Sequence, residues 1–189
     1  MSLILASQSP RRQELLNQLG LNFRVEHAVV SEMQSGEPPA VLAEVNAHKK
    51  AAFSARRSPD SLVIGADTVV VLGESVLGKP MDGVDAKKML RDLSGRQHDV
   101  ITGVALCQGS SSEVFHVVTH VWFRTLLSHE IERYIETGEP FDKAGAYGIQ
   151  GIGGVFVERI DGCYFNVVGL PIQRLACALR RWGLDVFHA

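Results

Sequence analysis

The sequence predicts an α/β protein built on a mixed, twisted sheet with flanking helices, and three observations carry that prediction. The run 62–72, Leu-Val-Ile-Gly-Ala-Asp-Thr-Val-Val-Val-Leu, is apolar on both alternating faces, as in a strand covered on both sides. Segments of helical period alternate with strand-like segments along the chain. Two pairs of strand candidates are separated by turn-type residues, so part of the sheet is hairpin-built. The 189 residues form one domain, 1–189, large enough for a sizeable core.

The first strand is 3–6, Leu-Ile-Leu-Ala. A helix follows over 10–19, with Ser9 at the N-cap, Pro10 at the first helical position and Gly20 as the stop. Residues 23–30 alternate weakly and read as a second strand. Residues 40–57 have helical spacing, and Arg56 and Arg57 at their end suit the helix dipole. After the strand 62–72, Gly73-Glu74-Ser75 turns the chain and Gly78-Lys79-Pro80 opens a loop. Residues 85–93 form a helix stopped by Ser94-Gly95. Long strands at 100–107 and 114–123 flank a polar junction. Ser128 caps a helix that ends at Gly138. Strands 155–160 and 163–167 flank Asp161-Gly162, a hairpin signal. An amphipathic helix, 171–182, ends at Gly183.

Composition excludes several functions. Apolar content of 46% and charged content of 21% are ordinary for a globular protein. A net charge of −2 leaves no broad footprint for nucleic acid. No apolar run approaches the roughly 20 residues that span a membrane, and no basic-then-apolar leader opens the chain. Cys107, Cys163 and Cys177 have no metal or redox spacing. They fit a reducing compartment, so a cytoplasmic protein is expected. His27, His98, His116, His120, His129 and His188 show no ligand spacing, and Trp122 and Trp182 read as core or interface residues.

Four stretches carry chemistry. In Ser7-Gln8-Ser9-Pro10-Arg11-Arg12, two arginines sit in the first turn of a helix, where each positive charge is unfavourable by roughly 0.3–1 kcal/mol. That placement makes sense where an anion docks at the helix start; the plainer reading leaves both side chains in water. Asp67 lies inside a β-branched run, where a carboxylate needs a partner or a metal. Lys79 precedes Pro80, which holds it extended on its loop. Residues 142–154, Asp-Lys-Ala-Gly-Ala-Tyr-Gly-Ile-Gln-Gly-Ile-Gly-Gly, imply tight turns with N–H groups open to a ligand, or simply a flexible loop. Gln150 has the paired donor and acceptor that read a base edge.

These stretches, S-Q-S-P-R-R, G-A-D-T-V-V, L-G-K-P and D-K-A-G-A-Y-G-I-Q-G, with V-V-G-L-P at 167–171, resemble the Maf family of nucleoside triphosphate pyrophosphatases. They stand in the family order and cover nearly the whole chain. The resemblance implies two lobes around a central cleft, a shape akin to inosine triphosphate pyrophosphatases. It also implies hydrolysis of a nucleoside triphosphate to monophosphate and pyrophosphate with a divalent cation, Mg²⁺ or Mn²⁺. S-P-R-R, G-A-D-T and A-Y-G-I-Q are similar to the branch acting on dTTP and UTP, whose pocket also has room for modified uridine triphosphates. The branch acting on 7-methyl-GTP differs at these motifs.

By that resemblance Asp67 is the catalytic acid, and Arg11, Thr68 and Gln150 bear on base choice. Ser7, Arg12, Lys50 and Lys79 meet the phosphates, and Glu32 joins Asp67 at the metal. A uracil edge offers carbonyl acceptors and one N–H, which Thr and Gln side chains satisfy together. The sequence departs from the family around His48 and at Ser31. A homodimer is implied as well. The alternative reading is a nucleotide-binding regulator of septum formation that does not hydrolyse its ligand; a sensor has no need of Asp67.

Overall fold

The computed structural model describes residues 2–33 and 35–187; His188 lies outside them. Its strands are β1 (Leu3–Leu5), β2 (Arg24–Val25), β3 (Leu62–Leu72), β4 (Ser75–Leu77), β5 (Gln97–Gln108), β6 (Ser111–Phe123) and β7 (Val157–Asp161). Its α-helices are α1 (Pro10–Gln18), α2 (Pro39–Arg57), α3 (Gly83–Leu93), α4 (Ser128–Glu136), α5 (Tyr164–Val168) and α6 (Ile172–Arg181). The sheet runs β2-β1-β3-β5-β6-β7, with β4 also on β3. β1 is parallel to β2 and β3, whereas β3/β4 and β6/β7 are antiparallel. This is the predicted mixed α/β sheet. By compactness the chain divides into two units. One is Met1–Asp67, Thr102–Val117 and Gly169–Ala189; the other is Thr68–Ile101 and Val118–Val168.

In the first unit, α2 turns a stripe of alanines inward. Ala43, Ala47, Ala51 and Ala55 recur every four residues and are at most 1% exposed. Beneath them the sheet carries glycine. A Cβ on Gly65 would lie 2.3 Å from the Ala47 carbonyl oxygen and 2.7 Å from the Ala51 nitrogen. One on Gly103 would lie 2.4 Å from the Ala43 carbonyl. Alanine over glycine therefore brings the helix backbone directly onto the sheet. Ile4, Ala6, Val63, Ala105 and Cys107 complete this layer. Burial also pushes the Cys107 thiol up to about 11, so it is an inert core residue. On α6, Leu175, Ala178 and Leu179 face inward. Arg181 and the indole N–H of Trp182 both engage Glu113.

The second unit has an aromatic centre. Phe123 stacks edge-on with Tyr147 at 4.7 Å, and Tyr134 with Phe156 at 5.0 Å. Leu90, Leu93, Val100, Val121 and Ile131 pack around them.

Some predicted elements differ. The strand expected at 23–30 shrinks to Arg24–Val25, both residues exposed, because only two positions pair with β1. The strand expected at 163–167 is helix α5. Asp161-Gly162 does turn the chain, with Gly162 at φ +128. Thr119 then takes the paired role: its hydroxyl accepts the Cys163 N–H at 3.0 Å and donates to the Cys163 carbonyl at 3.1 Å. The Asn166 amide donates to the Val100 carbonyl and to Thr119 Oγ1, both at 2.9 Å. With β7 left on the sheet edge, those side-chain bonds coil the following residues into a helix. Residues 152–156 form a 3₁₀ turn before β7 rather than its first residues. Among the described residues no helix is long and apolar enough to cross a membrane.

Candidate active site

Asp67 stands where β3 passes beyond Gly65, the point of closest approach to α2. The alanine stripe that seats α2 fixes its rotation, so Asn46 and Lys50, one helical turn apart, reach the same carboxylate. Lys50 Nζ donates to Asp67 Oδ1 at 2.7 Å. Asn46 Nδ2 donates to Asp67 Oδ2 at 3.2 Å. The lysine and aspartate side chains are only 12% and 13% exposed, so their attraction is poorly screened.

Lys50 also reaches Glu32 Oε1 at 2.7 Å. Glu32 lies on an irregular, largely exposed segment, and the residue after it is pinned. Asn46 Oδ1 accepts the Met33 N–H at 2.8 Å, and Asn46 Nδ2 donates to the Met33 carbonyl at 2.9 Å. Asn46 is 2% exposed and binds both the Glu32 segment and the Asp67 carboxylate. The sequence reading missed it. The available signal was its place four residues before Lys50, which puts a buried amide on the same helix face.

Arg12 enters from α1. Its Nε donates to the Gly169 carbonyl at 2.8 Å, and its Nη1 to the Ala66 carbonyl at 2.9 Å and to Ser7 Oγ at 3.3 Å. The guanidinium therefore bridges the V-V-G-L-P turn to the residue before Asp67. It is half-buried and anchored, not left in water. Burial works against its positive charge, the nearby Asp67 carboxylate favours it, Arg11 opposes it and Glu32 again favours it. Its pKa falls below the usual arginine value, yet a guanidinium remains charged. Ser7 is 8% exposed, and its hydroxyl also accepts the Ser9 N–H at 3.2 Å. Ser9 is the N-cap residue, as expected, but makes no side-chain capping bond.

Thr68, Lys79 and Gln150 belong to the second unit. Thr68 is half-buried, while Lys79 and Gln150 are exposed. The L-G-K-P and Gly-rich stretches meet there: the Gly145 N–H donates to the Gly78 carbonyl at 3.0 Å. A Cβ on Gly145 would lie 2.9 Å from Val70, so this closure requires glycine. The Gly-rich stretch is not an open loop. It winds through short 3₁₀ turns at Ala144–Ala146 and Ile152–Phe156, with Tyr147 5% exposed.

A carboxylate held by an amide and an ammonium, with a half-buried guanidinium alongside, is equipped to handle water and phosphate oxygens. On a mixed α/β sheet this defines a candidate phosphate-processing enzyme. The Maf-like protein family model matches residues 2–182, and the chain belongs to that family. It is 50% identical over 187 residues to a dTTP/UTP pyrophosphatase of Desulforamulus reducens, covering 97% of this chain and 98% of that protein. It is 52% identical over 187 residues to a dTTP/UTP pyrophosphatase of Pelotomaculum thermopropionicum, again covering 97% and 98%. Among solved structures, that of the Staphylococcus aureus Ham1 protein matches with a TM-score of 0.45 and 13% identity, covering 65% of this chain and 72% of that one.

Proposed function

We propose that this chain is a dTTP/UTP pyrophosphatase that releases pyrophosphate and leaves the nucleoside monophosphate, a nucleotide-pool housekeeping activity. One observation carries the reading: Asn46 and Lys50 converge on Asp67 in a chain half identical, nearly end to end, to curated dTTP/UTP pyrophosphatases.

The chemistry follows from the residues. Asp67 takes a proton from a water aimed at the α-phosphorus. The water oxygen forms the new bond to phosphorus, and the bond to the α,β-bridging oxygen breaks. The bridging oxygen leaves with pyrophosphate. Asn46 and Lys50 hold the Asp67 carboxylate in one orientation. Ser7, Arg12, Lys50 and Lys79 supply donors and positive charge to the phosphates as negative charge grows on the leaving group. Arg11, Thr68 and Gln150 choose the base. Since a methyl group contributes only a small apolar contact, one pocket takes dTTP, UTP and 5-modified uridine triphosphates.

Among the described residues no group of three or more His, Cys, Asp or Glu side chains is gathered for a metal. Glu32 and Asp67 do converge on the single Lys50 ammonium. Two carboxylates suffice for Mg²⁺ or Mn²⁺ when substrate phosphates complete the shell, so the residues fit a cation that arrives with the triphosphate. Such a cation, when bound, supplies Lewis-acid neutralisation of phosphate oxygens. We further propose a cytoplasmic homodimer.

The test is pyrophosphate release from a panel of dTTP, UTP, 5-methyl-UTP, CTP, GTP, ITP and 7-methyl-GTP with Mg²⁺ or Mn²⁺. Preference for dTTP and UTP is expected. Preference for ITP or 7-methyl-GTP contradicts the base assignment, and release from none of them favours a nucleotide-binding regulator.

A further inference from the structure

The Gly-rich stretch contains an anion site that the chain fills itself. Glu139 follows α4, and its side chain turns into the loop 148–154. Its Oε2 accepts the Ile152 N–H at 2.9 Å, and its Oε1 accepts the Gly153 N–H at 3.1 Å. The Tyr134 hydroxyl donates to the same Oε1 at 2.9 Å and accepts the Gly148 N–H at 3.3 Å. The N–H groups of Ile152 and Gly153, which the sequence offered to a ligand, are thus held by a carboxylate of the protein. Successive N–H groups aimed at one anion form a nest.

The glycines are required by this packing. A Cβ on Gly151 would lie 2.3 Å from Glu139 Oε1, and one on Gly153 would lie 2.6 Å from the Tyr134 hydroxyl. One on Gly154 would lie 2.6 Å from the Ile149 carbonyl. The Gly151 N–H donates to the Gly148 carbonyl at 3.3 Å, closing a turn that leaves Gln150 exposed at its tip. Tyr134 is 2% exposed and packs on Phe156, so the template is tied to the core of its unit.

We propose that Glu139 is a positioning residue for base selection: its carboxylate templates the turn that presents Gln150. This rests on the reading of Gln150 as a base-contacting residue. A carboxylate suits the task because its two oxygens only accept, and three donors converge on them. A glutamine there turns its own NH₂ group against one of those donors, despite its equal size.

The experiment measures kcat and KM for UTP and CTP in the wild type, Glu139→Gln, Tyr134→Phe, Gln150→Ala and the Glu139→Gln/Gln150→Ala double variant. Cytosine carries an amino group where uracil has a carbonyl, so the ratio of kcat/KM values reads base discrimination. Glu139→Gln is expected to lower the UTP-to-CTP ratio about tenfold or more, chiefly through KM for UTP. The double variant should lose no more discrimination than Gln150→Ala alone. Tyr134→Phe keeps the ring but removes a donor to Glu139, and is expected to move the ratio the same way by a smaller factor. This variant keeps the test open if Glu139→Gln does not fold. A wild-type ratio in Glu139→Gln or Tyr134→Phe, with the ratio lost in Gln150→Ala, overturns the role of Glu139. A wild-type ratio in Gln150→Ala instead overturns the base-contact reading on which the proposal stands.

Discussion

Lys50 Nζ lies 2.7 Å from Asp67 Oδ1, and both side chains are mostly shielded from water. The same ammonium reaches Glu32 at 2.7 Å. One lysine thus stands between two carboxylates, which without it would repel each other. Lys50→Met keeps much of the aliphatic stem and removes the charge. It should cut kcat/KM by about 10²–10³, the scale for loss of one electrostatic donor at a reacting group. Steady-state kinetics with UTP checks this, and a change below about threefold argues that Lys50 serves structure alone.

Asn46 satisfies both backbone groups of Met33 and one oxygen of Asp67. Asn46→Ala leaves those half-buried groups without it. The expected loss of stability is about 1–3 kcal/mol, read from urea unfolding. The expected fall in kcat is larger than the rise in KM, because the carboxylate is held less firmly. A variant with wild-type kcat removes Asn46 from the site.

Gly65 is the contact point that seats α2. Gly65→Ala would place its Cβ 2.3 Å from the Ala47 carbonyl oxygen. The helix must shift to admit it, carrying Asn46 and Lys50 away from Asp67. A stability loss of about 1–3 kcal/mol and a marked loss of turnover are expected together. Thermal unfolding and a UTP assay report both, and full activity would show that the close approach is dispensable.

His98 is 2% exposed, and its Nε2 lies 2.8 Å from the Tyr147 hydroxyl. Burial lowers its pKa to about 4, the Asp99 charge and a backbone hydrogen bond at Arg96 only partly opposing that effect. The unfolded imidazole titrates near 6.5. Between those values the unfolded chain binds more protons, so stability is complete above about pH 6.5 and falls as pH drops toward 4. The full shift corresponds to about 3 kcal/mol. Urea unfolding of the wild type and His98→Gln across pH 4–7 tests this, since carboxylates shared by both chains cancel. Parallel curves would deny His98 its role.

Much of the fold is legible in the residues, because its signals are local. The β-branched run 62–72 declares a covered strand, and the helical spacing of 40–57 declares a helix, though its buried alanine face emerges only against the glycines of the sheet. At the candidate site, the motif residues Arg12 and Asp67 fall in one unit with Lys50, which none of those motifs contains. What escaped depends on partners distant in the chain. Thr119, more than forty positions earlier, ties down Cys163 just before α5 and Asn166 within it, which no window around 163–167 reveals. Glu139 looks like a solvated acid until the glycines at 151 and 153 fold over it. Asn46 reads as an ordinary helix residue until β3 sets Asp67 beside it.

The most direct measurement is pyrophosphate release from UTP by Asp67→Asn beside the wild type, with UTP binding followed by calorimetry. The asparagine keeps the size of the side chain but cannot take a proton from water. The account predicts turnover lowered by at least about 10³-fold, with binding largely intact. Near-normal release by Asp67→Asn would contradict it.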